Sequence, residues 1–386
     1  MQLKKPIKSL NGKDWLGILL LSILLFVVFV FYNNSDFVIP GEEDLLTKLD
    51  VADEMVMASG FKSPYDFVFI NVGKDLELVK DEEGGDNVIT DRNKLGSFLK
   101  ILVDSNRHRF LLCDIVFDLP SPNDSLFRQY ILGLQRAVFP KHFGDSAPIT
   151  SLFPLPLAVA DFHTNTGKFN KFRLVYHDTD QTIPVTLHEQ LQKVKYTKKY
   201  GNLFCNGKLC LQTISPKYYI RSYQLTDSKT YPFFNLGELL VLSNEPSFYK
   251  SFLENKFIVI GNFNTDIHDT PVGKMPGTLV LLNTYLNLFF SRQLISVWWV
   301  ITFFSIFFLI NLYLIHGVLD APQVIRKKSW WANIANSVLV KLFSLAGLCI
   351  GIALLSELVF GVQCQVFSVL FFILVVNFLL NLCKPK

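Results

Sequence analysis

The residues with the greatest capacity for chemistry lie close together in the segment KFIVIGNFNTDIHDTPVGKMPGTLVLLNTYLNLFF, from Lys256 to Phe290. Asp266, His268, Asp269 and Thr270 fall within one short polar stretch of it. A carboxylate, imidazole, carboxylate grouping can hold a divalent cation, and an imidazole titrates near neutral pH and can serve as a switch. The same residue types also cap backbone groups in a hydrogen-bonded loop. One loop seldom supplies the ligand geometry a metal needs, so the expectation is no metal and no cofactor. Asp114 lies inside the apolar run FLLCDIVF (110–117), where a charge is costly unless paired. Its partner is either a donor of the domain or a ligand ammonium. Cys205 and Cys210 bracket Asn206 and Gly207 in FCNGKLC. That spacing suits a disulfide across a hairpin turn in an oxidising compartment, or two free thiols.

These side chains need elements to hold them. Phe257 to Ile260 has the unbroken apolar character of a strand buried on both faces, ending at Gly261. A polar loop follows from Asn262 to Lys274, and a helix then presents Leu279, Leu282, Tyr285, Leu286 and Phe289 on one face and is expected to run almost directly into the apolar segment Ser296 to Ile315. Earlier, DFVFINV (66–72) reads as a strand, with an acidic turn from Asp81 to Asn87 after it. Asp91 caps a helix striped by Leu95, Phe98, Leu99, Leu102 and Val103. Phe110 to Phe117 is a second strand. LPSPNDS turns the chain into a helix with Leu126, Phe127, Tyr130, Ile131 and Leu134, and Ala137 to Phe139 is a third strand. This alternation predicts parallel pairing through right-handed crossovers, with Ile258 to Ile260 joining later. Short aromatic runs between Phe169 and Tyr223 predict appended antiparallel hairpins, and Asn235 to Leu242 a short helix. Ligands of such sheets sit beyond the carboxyl ends of the strands. The expected ligand-binding set is therefore Asn71, Asp114, Asp118, Asp266, His268, Asp269 and Thr270.

Half of the 386 residues are hydrophobic, and the mean hydropathy of +0.31 is that of a membrane protein. The net charge of +4 comes without a long basic block, which gives no support to nucleic-acid binding. The chain divides as a cytoplasmic amino terminus (1–14), a signal anchor (15–32), an extracytoplasmic domain (33–294), a span (295–316), a cytoplasmic loop (317–336), two further spans (337–358 and 362–382) and a cytoplasmic tail (383–386). Lys4, Lys5, Lys8 and Lys13, then Arg326, Lys327 and Lys328, then Lys384 and Lys386 put positive charge on the cytoplasmic side. Phe31, Tyr32, Asn33 and Asn34 follow the first apolar run where a cleavage site would need small residues, so the anchor is expected to stay. Lys341 and Glu357 lie near the ends of the third span and can snorkel to the headgroups. Asn311 and Asn377 are the span residues most suited to face another helix. The predicted class is α/β: a mixed, mainly parallel sheet domain with appended β-hairpins, plus four transmembrane helices.

This layout, with DFVFINV, LLCDIVFDLPSPND, NKFIVIG and above all DIHDTPVGKMPGTLVLLNTYLNLF, resembles the CHASE2 sensory domain of bacterial receptors from Trp15 to Leu382. The resemblance implies an extracytoplasmic sensor in the bacterial inner membrane, feeding cyclases or kinases through its helices. Only four residues follow Leu382, so no output domain is expected and any signal must pass to a separate polypeptide. No strand is followed by a glycine-rich phosphate loop, and GxSxG, HExxH and HRD are missing from the sequence. An enzyme is not expected. The expectation is a multi-pass accessory or sensory subunit whose partners are the membrane and other membrane or periplasmic proteins. The alternative is a structural scaffold of an envelope complex for secretion, transport or motility.

Overall fold

The computed structural model describes residues 12–39, 42, 61–80, 84–143, 148–162, 167–176, 180–227, 230–242, 252–315 and 338–382. The basic groups expected on the cytoplasmic side, Lys13 excepted, lie outside the described residues, as do the side chains of Lys341 and Asn377.

Six strands form the central sheet: β1 (Phe67–Asn71), β2 (Phe110–Asp114), β3 (Ala137–Phe143), β4 (Leu157–Val159), β5 (Phe233–Asn235) and β6 (Phe257–Gly261). They are parallel, in the order β5-β1-β6-β2-β3-β4, and Pro148–Ile149 adds an antiparallel edge to β3. The late-coming β6 is inserted between β1 and β2. Successive side chains of a strand point to opposite faces, and both faces here are covered. Phe67, Phe69, Phe110, Leu112, Phe257 and Val259 enter one core, and Val68, Ile70, Leu111, Cys113, Ile258 and Ile260 the other.

The nine longest helices are α1 (Gly12–Asn34), α2 (Arg92–Ser105), α3 (Asp124–Gly133), α4 (Ile183–Gln192), α5 (Leu236–Leu242), α6 (Gly277–Phe289), α7 (Val297–Ile315), α8 (Val338–Phe360) and α9 (Phe367–Leu382) among the described residues. Helices α2, α3 and α5 cover the second core, while α4 and α6 cover the first. Asp91 starts α2 as expected, its carboxylate accepting from the amides of Asn93 and Lys94 at 3.0 Å each. Helix α6 is buried on nearly every side, as a helix with no continuous polar face must be.

Four features differ from the sequence-based expectation. The region from Phe169 to Tyr223 contains hairpins, but also α4, begun by Thr182 with Pro184 in its first turn. Proline is tolerated there because the first-turn amides have no helical partner. The strand expected to run from Phe110 to Phe117 stops at Asp114, so that acid ends a strand instead of interrupting one. Strand β3 continues beyond Phe139 to Phe143 because its last residues pair with Pro148–Ile149. Finally, α6 does not run straight into α7. The chain turns between them, and the turn is fixed to the hairpin strand Lys208–Cys210 and its neighbour by Ile295 N to Leu209 O and Leu211 N to Gln293 O, both 2.9 Å.

Among the described residues, two helices are long and apolar enough to cross a membrane, α1 with 23 residues and α7 with 19. Helices α8 and α9 pack on them at the far carboxyl end of the chain. The first core does not stop at the edge of the domain: Leu25 and Phe29 of α1, and Trp299, Phe303 and Phe307 of α7, belong to the same hydrophobic cluster as the sheet.

Candidate functional site

The carboxyl ends of β1, β6 and β2 lie side by side, with Asn71 opposite Gly261 and Gly261 opposite Asp114. This edge is the expected binding crevice. It is filled by the protein itself. The Asn71 amide nitrogen donates to Asn235 Oδ1 and Asn264 Oδ1, each at 2.9 Å, and its oxygen accepts from Gly73 N at 3.0 Å and Phe263 N at 3.1 Å. Four bonds exhaust an asparagine side chain. Asn71, expected to contact a ligand, is thus bonded on every side to the protein's own loops.

The first turn of α6 closes on the same edge. Thr278 Oγ donates to Asp114 Oδ2 at 2.7 Å, which supplies the partner that this acid required from within the domain. The approach is tight: a Cβ on Gly261 would lie 2.0 Å from Thr278 Oγ, and one on Gly277 would lie 2.4 Å from Asp266 Oδ2. Only glycine at both positions lets helix, strand and loop meet.

Asp266 and His268 form a pair, His268 Nε2 to Asp266 Oδ1 at 2.8 Å. The imidazole stands edge-on to the rings of Phe169 and Phe162, at 4.8 and 5.5 Å between centroids. Residues Ile267–Thr270 are a strand of a small hairpin with Gly273–Pro276. Alternation along that strand sends Asp269 outward to solvent and away from His268. The three-ligand grouping is thereby broken, and among the described residues no cluster of three or more His, Cys, Asp or Glu side chains is arranged to hold a metal ion. Thr270 is buried and structural, donating to Gly273 O at 2.6 Å to close the hairpin turn. Asp118 is exposed and its charge acts on Arg92, a buried guanidinium stacked 4.4 Å from the Phe117 ring. It does not join the loop.

What the edge does contain is a small group of ionisable side chains. Burial, reinforced by the Asp266 charge, pushes Asp114 up to about 6, against the opposing pull of Thr278, His142 and His268. The hydrogen bond that His268 makes to Asp266, outweighing the cost of burial, raises His268 above the ordinary imidazole value. His142, itself bonded to Asp161 Oδ1 at 2.8 Å, is a member that sequence reasoning missed. Nothing local in the sequence links it to Asp114. Thr278 was also missed, although its place behind Pro276 and Gly277 at a helix start was a usable signal.

Cys205 and Cys210 are free, buried thiols, so the disulfide considered from their spacing is not formed. They lie on one face of a hairpin whose turn, Asn206-Gly207, takes left-handed φ values of 48° and 78°.

A second set of contacts stands where α1 leaves the apolar region. Lys171 Nζ donates to the carbonyls of Tyr32, Ser35 and Phe37 at 2.8, 2.9 and 2.9 Å, satisfying the carbonyls that a helix end leaves open. Burial lowers the Lys171 ammonium to about 7, while Glu42 and Asp36 oppose the fall. Asn34 Oδ1 accepts from Gln212 N at 2.7 Å and Asn34 O from Thr213 Oγ at 3.0 Å. Glu42 accepts from Phe367 N at 2.9 Å, at the start of α9. Burial raises the Glu42 carboxyl above its ordinary range, although bonds to Tyr32 and to the α9 amides oppose this. Arg292 Nη1 meets Glu357 Oε1 at 3.2 Å, tying the turn before α7 to α8. No protein-family model, curated protein or solved structure matches the chain.

Proposed function

We propose that the protein is a multi-pass subunit of the bacterial inner membrane with the CHASE2-like layout: one anchor, an α/β domain outside, and three closing spans formed by α7, α8 and α9. In this reading the domain meets a ligand or partner outside and passes the effect through its spans to a separate protein. The observation that carries it is the Lys171 cap, which holds the domain to the outer end of α1 through three carbonyls. The shared core from sheet to helices supports the same coupling. A domain joined to its spans in this way cannot tilt without tilting them. The route differs from a single continuous helix, because it runs through the pinned turn 290–296 and through α1.

Single cysteines at exposed Asp118 and at Lys327 test the topology, labelled in intact spheroplasts with a membrane-impermeant maleimide. Labelling of position 118 alone agrees with the proposal. Labelling of both, or of 327 alone, overturns it. A flexible glycine-serine insertion after Phe290 tests the coupling and should uncouple domain from spans.

The scaffold reading draws on a different observation. In the hairpin Leu76–Lys80/Asp86–Thr90, Leu78 lies opposite Val88 with Leu76 beside them, and these side chains are 73%, 59% and 47% exposed. An exposed apolar face of this kind suits a protein partner better than a small molecule. Co-purification from mild detergent that is lost with Leu78→Asp and Val88→Asp favours a docking subunit. Retention with both substitutions disfavours it.

A further inference from the structure

Helix α6 is held differently along its length. Asn283 fastens its middle to Ile220, accepting from Ile220 N at 2.9 Å and donating to Ile220 O at 2.8 Å. Asn287 repeats the arrangement one turn later with Lys217 N and O, at 2.9 and 2.8 Å. Both amides are buried, and neither changes charge with pH. The first turn has another kind of seat. Asp114 accepts from Thr278 Oγ at 2.7 Å, while the Asp266 backbone oxygen accepts from Gly277 N at 3.0 Å and its carboxylate lies against Gly277. Pro276, at the N-cap, supplies no side-chain cap of its own.

The seat contains charges that can alter its own strength. Asp114 is faced by Asp266 and His268 from the hairpin side, and by His142 from β3, which is itself bonded to Asp161. From α6 it receives only the Thr278 hydroxyl. His268 is faced by Asp266, Asp114 and Asp269, and its ring is fixed by the 2.8 Å bond to Asp266 and by Phe162 and Phe169. With Asp114 protonated and His268 charged, Asp266 has its counter-ion, and these three groups sum to zero. With both protons gone they sum to two negative charges, set against consecutive residues of the helix. Two carboxylates sharing a site disfavour joint ionisation.

We infer that the carboxyl edge is a proton-operated latch. Acid holds the first turn of α6 and the hairpin 267–276 on the sheet, and deprotonation of Asp114 and His268 loosens them, while the Asn283 and Asn287 clamps stay shut. Burial and the Asp266 charge place Asp114 at about 6, and the bond to Asp266 raises His268. Both shifts are upward, so each contribution is complete below the group's ordinary value. The grip is lost as pH rises through about 6 and then through the raised imidazole value. Amides that a helix start leaves open favour an anion beneath them, so release loosens the turn without expelling it. The latch deepens the sensory reading and rests on it for one point: with the domain outside, the input is the acidity of the outer compartment.

Hydrogen exchange of the full-length protein in mild detergent tests the latch, read by mass spectrometry across pH 4.5–7.5 with times scaled for the intrinsic rate. Protection of 262–280 should fall on the order of tenfold over that range, the Asp114 shift being discounted for partial exposure. Protection of 283–289 should hold. Asp114→Asn with His268→Gln keeps an acceptor for Thr278 and a donor for Asp266 while removing both titrations, so the fall should vanish. Asp266→Asn should move the midpoint to lower pH, because Asp266 raises both groups. That single variant decides the matter where the double variant fails to fold. No fall, a fall shared by 283–289, a fall retained in the folded double variant, or an Asp266→Asn midpoint that stays or rises overturns the latch. The exchange is indifferent to the side of the membrane the domain occupies. Its failure removes the latch alone, whereas failure of the maleimide labelling removes only the outside placement.

Discussion

Replacing Asp114 with Asn is the most informative perturbation of the carboxyl edge. Asn keeps an oxygen to accept the 2.7 Å bond from Thr278 Oγ while deleting the charge that burial and Asp266 oppose. The folded state holds Asp114 at about 6, well above the ordinary carboxylate value. A group raised in this way contributes stability that is present below its unfolded value and is lost as pH rises through the folded one. A gap of this size corresponds to about 3 kcal/mol between the protonation states. Because the side chain is partly exposed, solvent screening brings the expected gain down to about 1–3 kcal/mol at neutral pH. His268, also raised, has the same sign, so acid should firm this edge in the wild type. Thermal unfolding of the full chain in mild detergent, followed by tryptophan fluorescence, reads the effect. The variant should match the wild type near pH 4, exceed it near pH 8, and show a flatter profile between. An equal increment at both ends, or a variant less stable near pH 8, would refute the assignment of a partly buried, charge-opposed carboxylate at the strand end.

Three further outcomes follow from contacts elsewhere. Lys171→Met should destabilise the protein by about 2 kcal/mol or more, because three carbonyls lose a charged donor. Faster amide exchange at 33–38 than at 67–71 would locate the damage at the carboxyl end of α1. Gly261→Ala should cost about 1–3 kcal/mol through overpacking, and Thr278→Ala should recover part of it, since it removes the 2.0 Å contact and leaves the 2.9 Å one; no recovery in the melting curve would mean the clash is relieved elsewhere. Cys205 should alkylate before Cys210 in iodoacetamide mapping, because the interaction between the two neighbouring thiols lowers Cys205 and, together with burial, raises Cys210.

The sheet was legible because its strands are short unbroken apolar runs, and FIVIG can be satisfied only between two covered faces. The α2 cap was legible because Asp91 acts on the two amides next to it. Helix α4 was hidden by the neighbouring hairpin residues, although Pro184 after Thr182 was a start signal. The bonding within the expected binding set was not legible for a different reason: its partners are remote. Asn235 and Asn264, which saturate Asn71, lie 164 and 193 positions away in the chain. Asp269 was grouped with His268 by proximity in sequence, yet a period of two separates them once the loop is seen to contain a strand.

Those remote bonds have a physical consequence for the carboxyl edge. An open parallel sheet leaves a crevice at its carboxyl edge unless something occupies it, and here Gly261 and Gly277 admit the first turn of α6 into the space. Thr278 takes the position against Asp114 that a ligand hydroxyl or ammonium would otherwise have taken. Asp114 and Asp266 are thus engaged in seating the first turn of α6, and α6 leads through the pinned turn to α7. An edge closed in this way trades a pocket for a joint. One exposed apolar face of the domain lies elsewhere, on the hairpin Leu76–Lys80/Asp86–Thr90, where Leu78 and Val88 stand opposite each other and are 73% and 59% exposed.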